Sequence, residues 1–125
     1  MLVDTDVLIW YLRGNKKAGR TIKGLKTFSI SVVTYMELVQ GLRNKKELNI
    51  LRSSLKRWNA GIIYINEEIS TKAMFLVEQY YLSHSIQLAD ALVGATAVIY
   101  GLPLLTANIK HYQTIKNIIV KKFRP

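Results

Sequence analysis

Short runs of β-branched and aromatic residues alternate with longer amphipathic stretches along the whole chain, and this alternation restricts the fold more than any other feature. "MLV" predicts a buried strand ending at Asp4. The helix "DVLIWYL" follows, and "RGN" stops it with Gly14 at the helix end. A short basic helix, "KKAGRTIKGL", leads to a second strand, "TFSIS". Ser31 can cap the helix "VVTYMELVQGLRN", in which Val33, Met36, Val39 and Leu42 recur at helical spacing. The next helix, "KKELNILRSSLKRWN", carries the stripe Leu48, Leu51, Leu55 and Trp58. Gly61 ends it, and "IIYI" is the third strand. The long helix "EEISTKAMFLVEQYYLSH" has acids in its first turn, where the helix dipole favours them. Ser85 can cap "QLADALVGATAVIY", Gly101 and Pro103 terminate that helix, and "PLLT" is the fourth strand. "NIKHYQTI" reads as a loop with a helical turn, and "IIV" as a last short strand. The pattern predicts an α/β fold of three layers, α/β/α, around a mainly parallel sheet of about five short strands, in one domain spanning residues 1–125. A chain of this length buries enough surface for a core without covalent staples. Ligands of such sheets bind at the carboxyl ends of the strands, which is where Asp4, Thr106 and Asn108 fall.

Two alternatives to a water-soluble enzyme are set aside by composition. From Ala91 to Ile109 no residue is charged, a stretch as long as a membrane span. Gly101 and Pro103 break it, however, and Thr96, Thr106 and Asn108 dilute it, so a buried helix, a turn and a buried strand fit better. Cysteine is absent, which excludes a disulfide framework and a thiolate metal site. The apolar N-terminus has no basic lead and contains two aspartates, unlike a secretory signal. The expected location is therefore the cytoplasm.

The net charge of +10 is unevenly spread. Residues 13–57 hold twelve Lys and Arg against Glu37 and Glu47, a local charge of +10. Residues 58–109 hold Lys72 against Glu67, Glu68, Glu78 and Asp90, a local charge of −3. A basic field of this size favours an anionic partner such as nucleic acid, although it also serves solubility alone.

Of only eight acids, four lie in ordinary amphipathic helices. The others interrupt strongly apolar sequence: Asp4 and Asp6 in "MLVDTDVLIWYL", Glu37 in "VVTYMELVQG" and Asp90 in "IQLADALVGATAV". Carboxylates brought together repel, and a divalent cation reverses that balance, because Mg²⁺ and Mn²⁺ prefer hard oxygen ligands. Simpler readings remain open for each. Asp6 and Asp90 can be early-helix acids, and Glu37 can pair with a basic residue. His84 and His111 lack any paired ligand spacing, although His111 is close enough to the fourth-strand loop to reach a substrate there.

"LVDTDV" on its own resembles the haloacid dehalogenase-type phosphatases, whose first Asp is a nucleophile, but the later acids of that set are missing. Four segments taken together match better. "LVDTDVLIWYLRG", "SISVVTYMELVQG", "QLADALVGATAVIYGLPLLT" and "TANIKHY" resemble, in order and spacing, the PIN-domain ribonucleases, particularly VapC-type toxins of toxin–antitoxin pairs. The resemblance runs from Leu2 to about Tyr112 and implies that Asp4, Glu37 and Asp90 are the catalytic acids and hold Mg²⁺, with Mn²⁺ as a substitute. Thr5, Asp6 and Thr106 take supporting positions. Asn108 stands where some relatives carry a fourth acid, and an amide supplies a carbonyl oxygen but no charge.

The resemblance further implies a metal-dependent endoribonuclease leaving a 5′-phosphate and a 3′-hydroxyl, a cognate antitoxin bound across the groove, and a homodimer. Arg13, Lys16, Lys17 and Lys110 are the residues expected on the RNA backbone. The helix around Phe75, Tyr80 and Tyr81 can serve an interface or the core. The competing reading is a non-catalytic RNA- or protein-binding module of the same fold, which would gain nothing from carboxylates facing phosphate.

Overall fold

The computed structural model describes residues 1–125. Five strands are formed by Leu2–Val3 (β1), Phe28–Ser31 (β2), Ala60–Ile63 (β3), Leu104–Thr106 (β4) and Val120–Lys122 (β5). The helices are Thr5–Leu12 (α1), Lys16–Gly24 (α2), Val32–Gln40 (α3), Lys45–Arg57 (α4), Glu67–His84 (α5) and Leu88–Tyr100 (α6), with a 3₁₀ turn at Ile109–His111. The sheet order is β3-β2-β1-β4-β5, and every pairing is parallel.

Strand pleating explains why the sheet needs helices on both faces. Side chains one residue apart point to opposite faces. Leu2 and Leu104 enter a core with α5 and α6, built on Ile69, Leu76, Ala91 and Val93. Val3 and Leu105 enter a second core with α1, α2, α3 and α4, built on Val7, Ile22, Leu38, Leu51 and Leu55. The uncharged stretch after Asp90 is indeed a helix, a turn and a strand. No helix is long and apolar enough to cross a membrane.

Five boundaries differ from the sequence pattern. α4 ends at Arg57 with Trp58 as its cap, and the left-handed residue that follows is Asn59 (φ 52°), not Gly61. Gly61 instead sits inside β3, opposite Ser29, so the strand covers Ala60–Ile63 and leaves Tyr64 and Ile65 outside. α3 stops at Gln40, because Asn44 is already the cap of α4, its side chain accepting from the Glu47 N–H at 2.9 Å. Ser85 does not cap α6. It closes α5 in a left-handed conformation (φ 53°), and Gln87 precedes α6 without a side-chain cap. The last strand lies two residues beyond "IIV", because Leu104, Leu105 and Thr106 pair with Val120, Lys121 and Lys122.

The strand order reverses at β1. β2 and β3 lie on one side of it, β4 and β5 on the other. A crevice opens at such a switch point beyond the carboxyl ends of the strands. Asp4 follows β1 there, and Ala107 and Asn108 follow β4.

Candidate active site

Asp4 is held at this switch point by three donors. It ends β1 and caps α1 in an extended conformation (φ −75°, ψ 157°), and its Oδ1 accepts from the Thr5 N–H at 2.8 Å. Its Oδ2 accepts from the Thr106 hydroxyl at 2.8 Å and the Tyr112 hydroxyl at 2.9 Å. The residue is 7% exposed, so each bond offsets the cost of a buried charge.

Thr5 carries the site to the next helix. Its hydroxyl donates to Glu37 Oε1 at 2.7 Å, and its oxygen lies 3.0 Å from the hydroxyl oxygen of buried Thr34. Thr34 and Glu37 are three apart on α3 and therefore share a face. Glu37 is otherwise exposed, and no cation pairs with it, which removes the ion-pair reading of this acid.

Asp6 lies in the first turn of α1 and accepts from the opposite wall. Its Oδ2 receives the Ala107 N–H at 3.0 Å and the Asn108 side-chain amide at 3.1 Å, and lies 3.3 Å from the Thr106 hydroxyl oxygen, whose proton goes to the nearer Asp4. Asn108 is itself fixed by its N–H on Thr106 Oγ1 at 3.0 Å. The amide group of Asn108 is thus occupied as a donor to Asp6, and its carbonyl oxygen remains for a ligand. Asp6 Oδ1 is buried with no hydrogen-bond partner. Burial, and then the Asp4 charge, push the Asp6 carboxyl up to about 6.

Asp90 enters from the other core, in the first turn of α6. It is half-buried, with Oδ2 3.5 Å from His111 Nδ1. Its pKa is raised, mainly by burial; His111 opposes the shift, and the charges of Asp4 and Glu37 add to it. His111 beside Asp90 and its chain neighbour Tyr112 on Asp4 tie this acid to the rest of the site.

Thr34 and Tyr112 complete the site without a distinct signal in the sequence, and His111, which the sequence places near the fourth-strand loop, stands beside Asp90. Tyr112 is 1% exposed, and burial followed by the Asp4 and Asp90 charges drives its phenol far above its ordinary value, so it stays a donor. Its ring packs where a Cβ on Gly94 would come 3.5 Å from Tyr112 Cδ1 and 2.5 Å from Ile115 Cδ1. Glycine at this point of α6 lets the Ile115 side chain seat against the helix beside the ring, which itself lies at ordinary contact distance.

The basic residues named above are brought together only in part. Arg13 shares a groove with Glu37, whereas Lys16 lines a separate depression on α2 with Arg20 and Lys23. Lys17 and Lys110 are exposed, the latter beside His111 on the 3₁₀ turn.

No three acidic or histidine side chains converge closely enough to ligate one ion together in this conformation. The donor set nevertheless suits a hydrated divalent cation. Mg²⁺ keeps several of its waters and is commonly held through them. Asp6 Oδ1 has no donor, and Glu37 and Asp90 keep oxygen atoms free of hydrogen bonds.

The raised Asp6 pKa sets a pH dependence for the metal-free protein. Asp6 holds its proton more tightly folded than unfolded, so the native state carries more protons between about pH 4 and about 6. Stability is therefore expected to fall as pH rises through that window, and Asp6→Asn is expected to flatten the fall. Urea midpoints at both ends of the window measure it; equal slopes for the two proteins would disprove it.

The PIN domain family model matches residues 1–117. The chain belongs to the PIN-domain family. It is 31% identical over 122 residues to ribonuclease VapC1 of Methanocaldococcus jannaschii, covering 97% of this chain and 85% of that protein. It is 33% identical over 124 residues to ribonuclease VapC10 of Mycobacterium tuberculosis, covering 94% and 90%. Among solved structures, a toxin–antitoxin complex from Klebsiella pneumoniae matches with a TM-score of 0.74, 27% identity and 98% coverage of both chains. The DNA-bound VapBC of Salmonella typhimurium matches with a TM-score of 0.83 and 18% identity, a likeness of fold. The PIN-domain assignment agrees with the five-stranded parallel sheet and its switch-point crevice. It also excludes the phosphatase reading of "LVDTDV".

Proposed function

We propose that this PIN-domain chain is a Mg²⁺-dependent endoribonuclease, the toxin of a type II toxin–antitoxin pair acting in the cytoplasm. The observation that carries this reading is the gathering of Asp4, Asp6, Glu37 and Asp90 at one switch point, with a buried Asp6 oxygen that no donor satisfies. The ribonuclease names of relatives matching nearly the whole chain support it.

Asp4, Glu37 and Asp90 would hold the ion through its waters in this conformation, which keeps them too far apart to ligate it together. Bound there, a divalent ion supplies an activated water and neutralises charge on the phosphoryl oxygens. The chain's own residues set the geometry. Thr106 and Tyr112 fix the Asp4 carboxylate, Thr5 fixes Glu37, and Asp6 with the carbonyl of Asn108 orients the attacking water. Arg13 and Lys110 hold the phosphates that flank the cut.

The cognate antitoxin would lie across the groove of about 460 Å³ between α1, α3 and α4, where Ile9, Leu38, Leu42 and Ile50 give an apolar floor opening on Glu37. Phe75 and Tyr81 are exposed on α5 and would serve a homodimer, whereas Tyr80 turns inward toward the core.

The purified protein incubated with RNA and millimolar Mg²⁺ is expected to yield fragments with 5′-phosphates. EDTA should stop the reaction, and added Mn²⁺ should restore it. Metal binding to the folded state is also expected to raise the melting temperature. Cleavage that survives chelation overturns the metal-dependent mechanism. Absence of both cleavage and a Mn²⁺-induced shift favours the binding module.

A further inference from the structure

The twelve cations between residues 13 and 57 all lie on α1 to α4 or in the loops that adjoin these helices, and all are exposed. Only Arg43 is paired, with Glu47 at 2.8 Å. Repulsion among the eleven cations without an acidic partner costs stability, and solubility needs far fewer of them.

α4 shows how they are arranged. Leu51, Leu55 and Trp58 bury one side of it against β2 and α1, with Trp58 stacked edge-on to Tyr11 at 5.0 Å. The opposite side carries Lys46, Asn49, Ser53 and Arg57 at three- and four-residue spacing, flanked by Lys45, Arg52 and Lys56. No acid interrupts it, because Glu47 is turned away and bound by Arg43. From Lys46 to Arg57 this face runs about 16 Å at ~1.5 Å per residue. Ile50 joins it to the site: it lines the groove that contains Glu37 and also the depression formed by Lys46, Asn49, Ser53 and Arg57.

We infer that this face of α4 is a second RNA-binding surface, which grips the phosphate backbone beyond the nucleotides at the cut. The inference rests on the ribonuclease reading above. Lysine and arginine contact phosphate oxygens, Asn49 and Ser53 add neutral donors, and the surface carries no aromatic side chain for base stacking. Recognition is therefore of backbone rather than sequence. The surface gives the protein a preference for long RNA that the metal site alone does not confer.

The test compares the full-length protein with K46Q/R57Q, and with K116Q/R124Q as a control that removes the same charge elsewhere. On long RNA the α4 variant is expected to raise KM about ten-fold at unchanged kcat. Its plot of log KM against log salt is expected to be shallower by about 1.4, since each phosphate contact on a single strand contributes about 0.7. On a short oligonucleotide cut at the same bond, all three proteins are expected to match. Melting temperatures within a degree or two of one another confirm that folding is intact, as the exposure of Lys46 and Arg57 predicts. An unchanged KM and salt slope on long RNA overturns the inference while leaving the ribonuclease reading standing. So does an equal loss in the control, or a loss confined to binding of an acidic peptide. If the wild type cuts no RNA, the ribonuclease reading falls. Equilibrium RNA binding of the same three proteins then decides the surface: equal affinities overturn it.

Discussion

Asp4→Ala is expected to abolish cleavage and weaken the fold, whereas Asp90→Asn is expected to abolish cleavage and strengthen it. Both remove a carboxylate that would hold the divalent ion, and with the ion go the activated water and the charge neutralisation it supplies. Their effects on stability diverge because of what each acid touches. Asp4 satisfies the Thr5 N–H and the Thr106 and Tyr112 hydroxyls. Alanine leaves those donors without an acceptor, and Tyr112 cannot reach water. A buried donor left unpaired costs about 1–3 kcal/mol, so a loss of about 2–4 kcal/mol is expected once relief of repulsion is counted. Asp90 is held less well: burial and the Asp4 and Glu37 charges raise its pKa, and only His111 at 3.5 Å and the Tyr112 hydroxyl, already bonded to Asp4, oppose them. Asparagine keeps its shape and removes the repulsion, so the melting temperature of the metal-free protein rises. Urea unfolding and single-turnover cleavage measure both quantities. A wild-type cleavage rate in Asp90→Asn would remove that residue from the site, and an undiminished stability in Asp4→Ala would refute the account of its three donors.

Tyr112→Phe is expected to cost about 2 kcal/mol of stability and 10–100-fold in cleavage. A hydrogen bond to a charged group contributes about 1.5–3 kcal/mol, and partners that orient a metal-site ligand typically matter at the 10–100-fold level. Phenylalanine preserves the ring that fills the space over Gly94, so packing is retained and the missing hydroxyl is isolated. Asp4 would then be fixed by the Thr5 N–H and Thr106 alone. The variant is expected to need more Mn²⁺ for the same rise in melting temperature. An unaltered metal titration would show that the phenol serves folding only.

The four acids were legible in the sequence because charge inside an apolar run is unusual whatever the fold, and the alternation of strands and helices places such residues at strand ends and early turns. Asp4 and Asp90 stand in those places. Asp6 does too, although its bonds to Ala107 and Asn108 make it more than a helix-start acid. Thr34 and Tyr112 carried no comparable signal. A threonine in a helix and a tyrosine in a loop have many uses, and theirs depends on partners 29 and 108 residues away. Helix ends were misplaced for a related reason. Asn59 and Ser85 adopt left-handed conformations that composition assigns first to glycine, so the end of α4 was expected at Gly61 and Ser85 was expected to open a helix it in fact closes.

The Asp4 carboxylate draws its Thr106 and Tyr112 donors from across 102 and 108 residues of chain. A chain emerging from the ribosome N-terminus first therefore cannot close this centre until Tyr112 has left the exit tunnel, however early Asp4 emerges. Under the proposed activity, a nascent polypeptide that has not yet exposed Tyr112 is harmless to the message that encodes it.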